Sequence, residues 1–238
     1  MLRVLILAFM TLGACAPVAI DVQGGPRPLP QPVSQPSGAP LSASQAARQF
    51  VRVAETVEPV AEAECRRYAP RLNCDFLIVV DDRPGQPPNA FQTLDSTGRP
   101  ILAFNLGLIN AVENADELAF VMGHEAAHHV LDHLTQQRNN ATVGAAVLSG
   151  LATVSGASDV YVREAGRLGA TVGARTYSKD FELEADQLGT IITARAGFDP
   201  VNGAEFFTRL PDPGNRFLGT HPPNAARMDI VRRTASQL

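Results

Sequence analysis

The sequence has no tryptophan, only 3 tyrosines and only 6% aromatic residues in 238. Much of any core must therefore come from Leu, Val, Ile, Ala and Phe. There is no basic excess: 20 Lys and Arg stand against 24 Asp and Glu, a net charge of −4. No run of like charge relieves that deficit, so the electrostatic footprint of a nucleic-acid-binding protein is missing and no nucleic-acid partner is expected. Cysteine is sparse, with 3 in the chain, too few for a disulfide-built scaffold. No internal repeat is visible. What remains, 45% hydrophobic and 18% charged, is ordinary for a globular protein.

The first 14 residues do not read as fold. Met1-Leu2-Arg3 supplies a positive start, and Val4 to Leu12 is an apolar stretch too short to span a bilayer. It ends in Leu12-Gly13-Ala14-Cys15, which resembles the site where a bacterial lipoprotein is cleaved before a lipid-modified Cys. Cys15 is the expected lipid anchor, placing the chain on the periplasmic side of a bacterial envelope. Ala16, where Asp would argue for inner-membrane retention, favours the outer membrane. Residues 15–41, rich in Pro, Gly, Gln and Ser, cannot pack a core and read as a tether. One folded domain is expected over 42–238. Cys65 and Cys74 close a short loop, a disulfide candidate in an oxidising compartment. No second Cys pair or nearby His completes a metal site around them.

Within the domain, Ser42–Arg67 has helical apolar spacing through Ala46, Phe50, Val53, Val57 and Val60, with Ser42 or Ser44 as cap. Phe76–Val80, Asn89–Leu94 and Pro100–Phe104 read as strands, with a turn at Ser96-Thr97-Gly98. Leu106–Val112 suggests a short helix, and Asp116 to about Gln137 a longer amphipathic one. Residues 141–173 are dominated by small residues, including six glycines. The simpler reading is helices packing closely through small faces; the other is a mobile or membrane-touching segment beside a cleft.

The chemistry concentrates in His124-Glu125-Ala126-Ala127-His128. On a helix, residues i and i+4 share a face, so both imidazoles can reach one metal ion, and zinc accepts nitrogen ligands at about 2.0–2.1 Å. Glu125 falls beside the metal, where it can take a proton from an attacking water. A third ligand is required, and all 5 histidines lie at 124, 128, 129, 133 and 221, without a third at short spacing. Glu182 is the better candidate. It shares a helical face with Asp186, while Glu184 points about 200° away and reads as a solvated neighbour. Asp186 then orients a liganding imidazole from behind. Helical phase also turns His129 and His133 off the ligand face, toward packing or surface. Asp132, one turn beyond His128, is within reach of it.

With these residues in view, the chain resembles the M48 family of zinc metallopeptidases, especially its periplasmic lipoprotein members and the catalytic domain of its mitochondrial relatives. The resemblance rests on Asn89-Ala90-Phe91, on Glu117-Leu118-Ala119 leading into Gly123–His128, on Tyr177-Ser178 before Glu182-x-x-Ala185-Asp186-x-x-Gly189, and on Thr220-His221-Pro222-Pro223 with Arg227. It implies an α+β, zincin-like (gluzincin) helical domain with a small mixed sheet, and one Zn²⁺ held by His124, His128 and Glu182. It also implies that His221 and Arg227 stabilise the oxyanion, and that His221 can occupy the metal at rest. The strand at Ile101-Leu102-Ala103 would be the edge that pairs with substrate backbone. Lys179 stands where the family usually has Arg, keeping charge but losing the bidentate fork. The implied activity is zinc-dependent endopeptidase action on unfolded or misassembled envelope proteins. The alternative is a zinc-bearing chaperone or assembly factor whose site His221 caps. Polypeptide substrates are the expected partners; nothing in the sequence gives an oligomeric state.

Overall fold

The computed structural model describes residues 41–212, 214 and 221–238. The expected signal segment, Cys15 and nearly all of the tether lie outside the described residues. A helix, α1 (Ala43–Tyr68), is followed by β1 (Leu77–Asp81), β2 (Ala90–Leu94) and β3 (Pro100–Asn105). Helices α2 (Leu106–Ala111), α3 (Ala115–Val130), α4 (His133–Val154), α5 (Asp159–Thr176), α6 (Ser178–Arg195), α7 (Pro200–Arg209) and α8 (Asn224–Ala235) complete the chain. The result is the expected α+β architecture, mostly helical, with a small mixed sheet.

Helix α1 starts where Ser42 donates its backbone N–H to the Gln45 side chain at 2.9 Å, half of a capping box. Its buried stripe, Ala46, Phe50, Val53, Val57 and Ala61, recurs every three or four residues and faces the core. Phe50 meets Phe104 of β3 edge-on at 5.5 Å. At the other end Cys65 is joined to Cys74, with 5.6 Å between Cα atoms, tying α1 to the loop before β1. A second link is the Glu64–Arg195 ion pair, which fastens α1 to the end of α6.

The strands run in the order β1-β3-β2. Strand β3 pairs in parallel with β1 (Leu77 with Ile101) and antiparallel with β2 (Phe91 with Ala103). This overturns one expectation. Ile101, Leu102 and Ala103 lie on the central strand, with both edges already hydrogen-bonded, so they cannot receive a substrate strand. A hairpin places consecutive strands side by side, and the parallel partner β1 then closes the remaining edge of β3. The free edge on the cleft side belongs to β2.

Helix α3 is the centre of the molecule: 13 of its 16 residues are buried. It is apolar almost all round rather than amphipathic, because α1, α6 and α7 cover it on different sides. Glu117 is fully buried in it yet paired twice by Arg209 of α7, at 2.6 Å each. Helices α3 and α6 touch backbone to backbone at Gly123 and Gly189. A Cβ on Gly189 would lie 3.0 Å from the backbone N of His124.

The long helix expected to run to Gln137 stops at Val130, and α4 begins anew at His133. Asp132 between them is left-handed (φ 54°), a conformation that Asp tolerates better than most residues. Helices α4 and α5 form an antiparallel arm whose backbones approach at Gly144 opposite Gly169 and at Asn140 opposite Gly173. A Cβ at Gly144 would fall 2.1 Å from the Gly169 carbonyl oxygen, so the small-residue composition is what lets this pair close. Among the described residues no helix is long and apolar enough to cross a membrane.

Candidate metal centre

The α3–α6 crossing at Gly123 and Gly189 fixes the centre, because His124 follows Gly123 directly and Glu182 lies two turns before Gly189. His124 Nε2 and His128 Nε2 stand 3.1 Å apart. Glu182 Oε1 is 3.3 Å from His128 Nε2, and Oε2 is 3.6 Å from His124 Nε2. Ligands at about 2.0–2.1 Å around a tetrahedral zinc are separated by about 3.3 Å. The donor set, two imidazole nitrogens and a carboxylate at that spacing, therefore fits a zinc ion with a fourth position open.

Behind this trio lies a buried support. Asp186, with no exposed surface, is 2.9 Å from Nδ1 of His124. Arg227 of α8 donates to Asp186 from Nε at 2.7 Å and from Nη2 at 2.6 Å. The guanidinium stacks on Phe207, with its carbon 3.4 Å from the ring centroid. Arg227 is thus 6% exposed, paired with Asp186, and its Nη2 also lies 3.8 Å from Glu182 Oε2. His221 is the exposed member, donating from Nδ1 to Glu182 Oε2 at 3.1 Å. Glu125 lies in the cleft wall beside His128, with Ala90, Phe91 and Gln92 of β2 opposite and Phe181 nearby.

Without a metal, His124, Glu182, Asp186 and Arg227 hold one another in charged forms. Burial alone would depress His124, but hydrogen bonds to Asp186 and Glu182 push its pKa up to about 9. Burial would raise Glu182, yet His124, His128 and His221 hold its carboxyl well below the usual range. Asp186 is likewise lowered against its burial, chiefly by Arg227.

Two residues that helical phase had turned away belong here. His133 is 4% exposed, and its Nδ1 lies 2.9 Å from Nδ1 of His128. Its Nε2 is 3.1 Å from Glu184 Oε2, so Glu184 is a hydrogen-bond partner rather than a solvated neighbour. The phase argument failed because the helix ends before His133; an Asp able to turn left-handed is the only local sign of that end. His129, by contrast, packs as a buried residue, Nε2 to the Asn73 carbonyl at 2.8 Å and ring edge-on to Phe76.

A buried helix presenting two imidazoles, a second helix presenting a carboxylate, and a small sheet beside the cleft define a zincin-type metalloprotease. Residues 47–235 match the sequence profile of Peptidase family M48, and the chain belongs to that family. It is 31% identical over 144 residues to a beta-barrel assembly-enhancing protease of Yersinia pestis, covering 55% of this chain and 30% of that one. It is 29% identical over 170 residues to the mitochondrial metalloendopeptidase OMA1 of Saccharomyces cerevisiae, covering 66% and 46%. With OMA1 of Bos taurus it shares 26% over 196 residues, 73% and 35% of the two chains. The chain spans between 26% and 46% of the length of these and similar curated relatives.

Proposed function

We propose that this metalloprotease is a zinc-dependent endopeptidase of the bacterial envelope, cleaving unfolded or misassembled proteins there. The observation that carries the reading is the convergence of His124, His128 and Glu182 at zinc-ligand spacing, with Glu125 on the cleft side. One Zn²⁺ per chain would supply polarisation of the scissile carbonyl and acidification of the attacking water. Glu125 takes the proton of that water and passes it to the leaving amine. His221, the exposed imidazole, steadies the negative charge developing on the carbonyl oxygen. Arg227 contributes to that step through Asp186 and His124 rather than by touching substrate. Substrate backbone pairs along β2, whose outer edge faces the cleft, leaving side-chain selectivity loose. Cys15 carries the lipid that holds the domain on the membrane, the outer one by the residue at 16. The relatives named for barrel assembly agree with an envelope role.

The test is cleavage of an unfolded protein substrate, with and without chelator, by wild type and Glu125→Gln. Cleavage that chelation stops, zinc restores and Glu125→Gln loses by about 100-fold or more is the expected outcome. Chelator-resistant cleavage would refute it. The 3.1 Å contact between His221 and Glu182 favours a second reading, a zinc-bearing assembly factor whose own imidazole closes the metal. Equal rescue of an envelope defect by wild type and Glu125→Gln would select that reading.

A further inference from the structure

Each imidazole of the centre has one nitrogen facing the ligand position and one turned away. For His124 the outward nitrogen meets Asp186 directly. For His128 it meets His133 at 2.9 Å, and His133 in turn meets Glu184 at 3.1 Å. We infer that Glu184 and His133 form a positioning relay that fixes His128 as the tautomer whose Nε2 lone pair faces the metal.

Proton counting carries the argument. A carboxylate only accepts, so the His133 nitrogen facing Glu184 is the one bearing hydrogen. Neutral His133 then has a bare Nδ1, which accepts the Nδ1–H of His128. With its proton held there, His128 keeps Nε2 free to bind metal. The opposite arrangement sets a lone pair against a carboxylate and blocks the metal-facing nitrogen. A proton on His133 Nδ1 would turn a lone pair toward the Glu184 carboxylate at 3.1 Å, and would put the His128 proton on Nε2, the nitrogen that must be bare to bind a metal.

Three independent features hold the relay in place. The left-handed Asp132 ends α3 and returns the chain so that the first residue of α4 faces back onto His128. Phe181 stacks flat on the His133 ring, 4.5 Å between centroids and 18° between planes. Glu184 is placed by the same helix that supplies Glu182, on a different side of it. Two carboxylates therefore orient the two imidazoles, one directly and one through a third ring.

This inference rests on the zinc site proposed above, so it is read by metal affinity. Zinc is titrated into the metal-free full chain against a chelator of known affinity, for wild type, His133→Leu, His133→Asn and Glu184→Leu. His133→Leu is expected to weaken zinc by about 10-fold to 100-fold. His133→Asn, whose side-chain oxygen sits where Nδ1 sat, recovers most of that loss, and Glu184→Leu falls between. Nitrogen-15 spectra of the zinc-loaded wild type are expected to show His133 protonated at Nε2 and His128 at Nδ1, whether or not the Leu variants fold. A His133 proton on Nδ1, or wild-type affinity in a folded His133→Leu, overturns the relay while leaving a zinc-binding, proteolytic wild type intact. A wild type that binds no zinc overturns both.

Discussion

Asp186 sets Oδ1 2.9 Å from Nδ1 of His124, in a position with no exposed surface. It lies one helical turn past Glu182 on α6, so one short segment supplies both a ligand and the support of another ligand. Asp186→Asn keeps the volume but presents an amide that can donate as well as accept. Zinc affinity is expected to fall about 10-fold to 100-fold, measured by chelator competition. Arg227→Ala strips the charge that matches buried Asp186 and should lower stability by about 3 kcal/mol in urea unfolding of the metal-free protein.

The crossing of α3 and α6 leaves no room for a methyl group at Gly189, where a Cβ would lie 3.0 Å from both N and Cα of His124. Backbone atoms of a buried helix cannot step aside as a side-chain end could. Gly189→Ala is expected to separate the helices by a few tenths of an ångström and to lower stability by about 1–3 kcal/mol. Zinc affinity should fall with it, since the two helices carry different ligands. Unchanged unfolding and zinc titrations would contradict this account of the crossing.

The raised pKa of His124 gives the metal-free protein a pH signature. Unfolded, this group titrates near 6.5; folded, it titrates at about 9. Its stabilising contribution is therefore complete below pH 6.5 and disappears as pH climbs through 9. Zinc must displace that proton, so affinity should rise about tenfold per pH unit through neutrality and level off above the folded pKa. Titrations at several pH values, with released protons counted calorimetrically, check the slope.

Just before β2, Asn89 accepts at its carbonyl a ladder bond from Asn105 N–H of β3 at 3.0 Å. Antiparallel alternation then turns the backbone of Phe91 and Thr93 toward β3 and that of Ala90 and Gln92 toward the open edge. Gln92→Pro removes an outward N–H without breaking the ladder. The loss of about 1 kcal/mol of substrate pairing should lower kcat/KM about fivefold. Zinc affinity should be unchanged, and Phe91→Pro should instead destabilise the sheet. Equal kcat/KM for Gln92→Pro and wild type would remove β2 as the substrate edge.

Much of this was legible because the decisive signals are local. The i, i+4 spacing of His124 and His128, and of Glu182 and Asp186, needs only the pitch of a helix to place each pair on one face. The strands and the Cys65–Cys74 link were readable from short apolar runs and loop length. Harder were features set by what surrounds an element. Helix α3 looked amphipathic on its own and is buried nearly all round because three helices converge on it.

The sequence alone therefore determined the candidate ligand pairs and the order of α1, the three strands and the helix that carries His124 and His128, which follow from spacing along the chain, while the class of enzyme followed from the motifs shared with a family. Tertiary structure alone decided which strand is the edge, since β1 returns to cover β3. It likewise decided where Arg227 spends its charge, and that His133 turns back onto His128 after a single left-handed residue. Those outcomes depend on packing between segments far apart in sequence, which periodicity within any one of them does not encode.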